Sequence, residues 1–78
     1  MENLAEIKSF GTNLRKIREK NDLSQQQLAD MANVAKITIQ RIENAKFSPT
    51  LDVIVSIAKA LNVPPHQLLK NIKISGSK

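Results

Sequence analysis

No cysteine occurs among the 78 residues. A disulfide framework and a thiolate metal site are therefore both excluded. Tryptophan and tyrosine are absent too, and two phenylalanines are the whole aromatic inventory. A core must come mainly from Leu, Ile, Val and Ala, and a chain this short can bury only a modest one, worth roughly 3–5 kcal/mol of net stability. There is one histidine, His66, beside Pro64-Pro65, and carboxylates are sparse. No H-x-x-x-H pair, glycine-rich phosphate loop or nucleophile elbow is present, so nothing supports an enzyme, a metal or another cofactor. No apolar run approaches the ~18 residues of a membrane span, and no signal-peptide core is visible. The expectation is a cytoplasmic protein, neither membrane-spanning nor exported.

What is present is a hydrophobic fraction of 41%, a net charge of +5 and a pI near 9.9. The length suits one small domain. We expect it over residues 1–74, with Ser75-Gly76-Ser77-Lys78 as a flexible polar tail. The basic balance favours an anionic partner, nucleic acid ahead of a membrane surface.

Apolar residues recur every three or four positions, so the pattern is helical throughout. Ile7, Phe10, Leu14 and Ile17 form a stripe on a helix from near Asn3 to about Lys20. Ser24 with Gln27 makes a capping box that opens a second helix, Gln25 to about Ala32, and Asn33 suits its left-handed exit. A third helix runs from about Lys36 to Asn44, with Ile39 and Ile42 inward. Thr50 caps a fourth, Leu51 to Leu61, whose inward positions are Leu51, Ile54, Ile57, Ala58 and Leu61. Pro64-Pro65 opens a short fifth helix with Leu68 and Leu69 as core residues. The fold class is all-α, with five helices around one core.

The second and third helices, joined by a tight turn, make a helix-turn-helix. On DNA the first of such a pair crosses the backbone and the second lies in the major groove. With Lys36 at zero and about 100° per residue, Gln40 falls at roughly 40°, Asn44 at 80°, Ile37 at 100° and Arg41 at 140°. Ile39 and Ile42 fall on the other side, at roughly 300° and 240°. One face of this helix is thus free to present a cation, a methyl-rich chain, amides and a guanidinium to base edges. Plain solvation would suit most of the same residues, but an outward Ile37 wants a partner.

A more specific signal lies in the order of residues. Leu23-Ser24-Gln25-Gln26-Gln27-Leu28-Ala29, then Val34, then Ile39-Gln40-Arg41-Ile42-Glu43-Asn44, then Pro49-Thr50, then Ile57-Ala58-Lys59-Ala60-Leu61-Asn62-Val63, resembles the Cro/CI (XRE) helix-turn-helix family. That family holds phage repressors and Cro proteins, restriction–modification controllers and some antitoxins. The resemblance runs from Phe10 to Leu69. It implies a lambda-repressor-like five-helix domain, bacterial or phage, that binds inverted-repeat operator DNA as a homodimer. It also implies base-reading positions at Lys36, Ile37 and Arg41, to which the outward face adds Gln40, and phosphate contacts at Gln25, Asn44 and Lys46, with Thr38 as a further phosphate candidate. Arg18 on the first helix and Glu43 at the end of the third match a structural pair of the family. The chain departs from the pattern at Ala45, where Gly is usual, and at Ala35, which cannot cap the third helix.

Val53, Val55, Ile72 and Ile74 are apolar residues outside the expected core and are candidates for a dimer seam. With little chain left over, no sensor domain or small-molecule effector is expected. A Cro-like repressor or a controller protein is the leading reading. The alternative is an antitoxin or other protein-binding module, with its surface near Val55 or the Ile72–Ile74 segment.

Overall fold

The computed structural model describes residues 4–69. Ile72, Ile74, the 75–78 tail and the expected helix start at Asn3 lie outside them. Five helices follow in order: α1 (Leu4–Lys20), α2 (Gln25–Ala32), α3 (Lys36–Glu43), α4 (Leu51–Leu61) and α5 (Pro65–Leu68). No strand occurs among the described residues. α3 packs on α1 and α2, α4 packs on α2 and α5, and α1 also meets α5.

Side-chain caps and left-handed exits bound α2 and α4. Ser24 Oγ accepts the Gln27 N–H at 3.0 Å, and Gln27 Oε1 accepts the Ser24 N–H at 2.8 Å, closing the capping box. Asn33 and Asn62 leave α2 and α4 in the left-handed conformation, at φ 59° and 58°. Asn tolerates that region better than most residues because its short polar side chain bonds locally. Thr50 Oγ1 accepts the Val53 N–H at 3.3 Å and starts α4. Asn13 Nδ2 donates to the carbonyls of Gln67 and Leu68, at 3.2 and 2.8 Å, and so ties α5 back to α1.

The core is aliphatic apart from Phe10. Leu14, Leu28, Ile39, Ile42, Ile57 and Leu68 are its largest fully buried side chains. Ile17, Leu23, Val34, Val53 and Ile54 pack around them half-buried. α1 and α3 approach so closely that a Cβ on Gly11 would collide with the Ile42 carbonyl oxygen and lie 3.0 Å from that of Glu43. This backbone contact explains a glycine in mid-helix, where it is otherwise unfavourable.

Two expected core residues are not in the core. Leu51 is 73% exposed. It is the first residue of α4, and because side chains on a helix lean toward its N-terminus, it overhangs the end of the core. Leu69 follows the last residue of α5 with φ −97° and ψ 8°, leaves the helical phase and lies exposed, while Leu68 is buried. α3 ends at Glu43, one residue before the expected Asn44, which is its C-cap.

Ala45 follows that cap at φ 60°. An L-residue with a Cβ pays about 1 kcal/mol or more for this region, which glycine enters freely. Ala45→Gly is expected to stabilise the domain by about 0.5–1 kcal/mol, the gain being trimmed by the extra freedom glycine has when unfolded. Thermal melts should then show a rise of several degrees, since about 1 kcal/mol shifts Tm by ~4–8 °C in a domain this small. An unchanged or lower Tm would contradict the strain argument.

Candidate nucleic-acid interface

α2 and α3 are joined by Asn33, Val34 and Ala35. The Asn33 N–H bonds the Ala29 and Asp30 carbonyls, and the Val34 N–H reaches back to the Ala29 carbonyl at 3.0 Å. Val34 then packs into the core and fixes the turn. α3 begins at Ala35 without a side-chain cap, as expected. Its inner face, Ile39 and Ile42, is fully buried. Lys36, Ile37, Gln40 and Arg41 are all exposed on the other side. The helix therefore divides as the wheel arithmetic requires. Ile37, 47% exposed, is an apolar side chain in the middle of this polar face.

The flanks of α3 carry the other expected residues. Asn44 and Lys46 are exposed, and the Lys46 N–H bonds the Arg41 carbonyl at 2.7 Å, which tightens the exit from the helix. Thr38 is half-buried in the first turn. Gln25 is the first residue of α2, also half-buried. The first N–H groups of a helix have no partners within it, so those of Gln25 and Gln26 are available to an anion at this end.

These parts meet at Glu43. Its side chain is fully buried, and its two oxygens receive donors from two other helices. Arg18 Nε donates to Oε2 at 2.7 Å and Arg18 Nη2 to Oε1 at 3.0 Å, a two-pronged pair. Gln25 Nε2 donates to Oε1 at 3.1 Å, and Arg15 Nε to the same oxygen at 3.4 Å. Arg15 Nη2 also donates to Asn44 Oδ1 at 3.3 Å. Arg18 Nη1 donates to the Leu23 carbonyl at 2.7 Å and so pins the connection from α1 to α2.

Burial alone would push the Glu43 carboxyl up. The hydrogen bonds from Arg18 and Gln25, the charge of Arg18 and the bond from Arg15 outweigh it and hold the group below its ordinary value. The hydrogen bond to Glu43 raises the Arg18 guanidinium in turn, against the opposing effect of its own burial.

The expected Arg18–Glu43 pair is therefore present. Sequence reasoning missed Arg15, although a signal existed: it lies three residues before Arg18 and so on the same side of α1. It also assigned Gln25 to phosphate alone, without its bond to Glu43. Val53 is half-buried against the core, Val55 is half-buried, and the remaining seam candidates, Ile72 and Ile74, lie outside the described residues. Among the described residues no cluster of His, Cys, Asp and Glu could hold a metal ion, and no helix is long and apolar enough to cross a membrane.

A helix-turn-helix family profile matches residues 14–68, and the chain belongs to that family, in its XRE type. Its relatives are transcriptional regulators. The control protein C.BamHI of Bacillus amyloliquefaciens is 39% identical over 61 residues, covering 77% of this chain and 75% of that protein. The crystal structure of the restriction-modification controller protein C.AhdI from Aeromonas hydrophila superimposes with a TM-score of 0.81 at 30% identity, covering 82% of this chain and 97% of that one. The P22 c2 repressor, solved in complex with a synthetic operator, aligns with a TM-score of 0.72 at 30% identity, over 78% of this chain and 92% of that one. Matches to an HTH-type transcriptional repressor of Bacillus subtilis (strain 168) and a regulator of Escherichia coli (strain K12) cover only 47% and 35% of those longer proteins.

Removing one member of a buried ion pair leaves an uncompensated charge, at a cost of about 3–5 kcal/mol. Arg18→Met should sit at the low end, because Gln25 and Arg15 still reach Glu43. Adding Glu43→Gln should restore part of the loss, giving a coupling above about 0.5 kcal/mol in urea melts. Simple additivity would contradict the pairing. The pH dependence follows from linkage. Glu43 is held below its ordinary 4.5 in the native state. Its contribution is complete above that value and fades as pH falls through the lower native one. The stability gap between wild type and Glu43→Gln should therefore narrow below about pH 4.5, and a gap that widens in acid would reverse the sign of this argument.

Proposed function

We propose that this chain is a sequence-specific DNA-binding transcriptional regulator that binds an inverted-repeat operator as a two-fold dimer, with α3 in the major groove. One observation carries the reading. α3 spends its inner face on the core and leaves Lys36, Ile37, Gln40 and Arg41 exposed together. Arg41 and Lys36 suit the O6 and N7 acceptors of guanine, Gln40 suits adenine, and Ile37 suits a thymine methyl. Gln25, Thr38, Asn44 and Lys46 flank that face and suit phosphates, which set register but carry no base information. The operator bound by the P22 c2 repressor, a similar fold, supports double-stranded DNA as the ligand.

The net charge of +5 implies a large counterion-release contribution. A dimer making roughly 6–10 phosphate contacts should lose about 10³–10⁵ in affinity between about 50 and 200 mM salt. Arg41→Ala should cost about 1–3 kcal/mol on the operator and relax base preference at one position per half-site. Gln25→Ala should weaken all sequences more evenly. Binding-site selection that returns the wild-type preference for Arg41→Ala would remove Arg41 from the readers.

A single α3 covers too little DNA for tight specific binding, and pairing two of them about 34 Å apart doubles the footprint. Leu51 and Val55 lie four residues apart on α4, hence one above the other, and Leu51 is the most exposed large apolar side chain among the described residues. A two-fold seam uses one patch twice. Val55→Asp should therefore set like charges against each other and weaken both dimer and operator binding without unfolding the monomer. Sedimentation of free and DNA-bound protein checks this. One protein per operator at saturation, or a dimer indifferent to Val55→Asp, would move the interface elsewhere.

A further inference from the structure

Arg15 lies on α1, outside the helix-turn-helix, yet its guanidinium reaches both Glu43 and Asn44 at the end of α3. Three features set it apart from Arg18. Its side chain is 46% exposed, against 11% for Arg18. Its bonds are long, 3.4 Å to Glu43 and 3.3 Å to Asn44, where Arg18 holds Glu43 at 2.7 and 3.0 Å. Its charge is also surplus, since the Glu43 carboxylate already has Arg18 as a close two-pronged counterion. The cluster of two arginines and one carboxylate keeps a net positive charge, and that charge resides on the exposed, loosely held member.

We propose that Arg15 is a DNA-backbone contact, a phosphate ligand on α1 that acts beside Gln25 and Asn44. The inference rests on the DNA-binding reading above and extends it to a residue outside the two helices of the motif. The neighbours of Arg15 set up the site. Glu43 Oε1 binds both Gln25 and Arg15, so the start of α2 and the middle of α1 face one point. Arg15 takes the oxygen of the Asn44 amide, so the Nδ2 donors of Asn44 face away from the guanidinium. A phosphate there meets a guanidinium, two amides and the first N–H groups of α2. Arginine suits the role because its planar fork can face a carboxylate on one edge and a phosphate on the other.

The exchange is inexpensive in the free protein, because a half-exposed group gives up two long hydrogen bonds for charge-assisted ones. Arg18 cannot make the same exchange without uncovering a buried carboxylate. The two arginines of α1, three residues apart, thus divide the work, with the buried one holding α3 in place and the exposed one gripping the duplex.

The test compares wild type, Arg15→Met, Arg15→Lys and Lys59→Gln, the last removing the same charge from α4. Affinity for an operator duplex and for a scrambled duplex is measured by fluorescence anisotropy across a salt series. Arg15→Met should weaken both duplexes about equally and flatten the slope of log K against log salt by about 0.9 per bound protomer. Arg15→Lys should restore most of that slope, because an ammonium still displaces a counterion. Lys59→Gln should change the slope much less, and the melting temperature of Arg15→Met should stay near that of wild type. If wild type shows salt-dependent binding and Arg15→Met keeps its slope, the assignment of Arg15 fails while the DNA-binding reading stands. An Arg15→Met defect that Arg15→Lys does not rescue, or that tracks a lost melting transition, overturns the assignment in favour of a structural role. Absence of duplex binding by wild type overturns both.

Discussion

The structure depends on one buried carboxylate. Glu43 ends α3 with no exposed side-chain surface, and a charge in that position is tolerable only when donors surround it. Arg18 of α1 supplies two of them and Gln25 of α2 a third. Because these donors come from two other helices, satisfying the carboxylate also fixes where α1 and α2 sit against α3. The pair contributes little as a net source of stability, since replacing a buried ion pair by apolar groups is often neutral or better. Its consequence is geometric: α3 cannot rotate or slide without stranding a charge.

Close backbone packing makes the pair possible. Gly11 lets α1 lie directly against the Ile42 and Glu43 carbonyls, which a side chain there would hold apart. At that separation arginines one and two turns further along α1 reach Glu43 on short tethers. The same approach buries Ile39 and Ile42 against Phe10 and Leu14 and leaves the opposite face of α3 outward. One glycine, one carboxylate and two isoleucines thereby set the orientation of the exposed Lys36, Ile37, Gln40 and Arg41.

Much of this was legible in the sequence because it rests on local rules. Helix spacing, the Ser24–Gln27 box, the Thr50 cap, the Asn33 exit and the two-faced character of α3 each follow from residues within a few positions of one another. The Arg18–Glu43 pair, 25 residues apart, was legible only through a family resemblance, since no local pattern links them. Leu51 and Leu69 were misplaced because periodicity says which side of a helix a residue occupies and not whether the neighbouring helix extends that far. Arg15 and the second role of Gln25 went unseen for a related reason: a single buried oxygen that gathers several donors is a property of packing. Lys36, Ile37, Gln40 and Arg41 were placed outward correctly, because which side of α3 faces the core follows from the spacing of Ile39 and Ile42 alone.

The ends of α3 show how far its order depends on the rest of the molecule. It has eight residues, no side-chain cap at Ala35, and a strained Ala45 just beyond its C-cap. An isolated helix of that length is far from stable in water, where about 12–15 residues are marginal even for good sequences. Local propensity therefore does not hold this helix, and burial of Ile39 and Ile42 together with the Glu43 bonds must do so. An exposed face built this way is ordered only while the domain is folded, and its small core leaves a narrow margin. A duplex that engages only the packed form would add to that margin in proportion to its concentration over Kd. Folding of this domain and recognition by it then draw on the same few contacts at the junction of α1, α2 and α3. A substitution at that junction therefore acts on stability and on the exposed face of α3 together, and on the role proposed for Arg15 the two arginines of α1 are the pair at which the effects would separate.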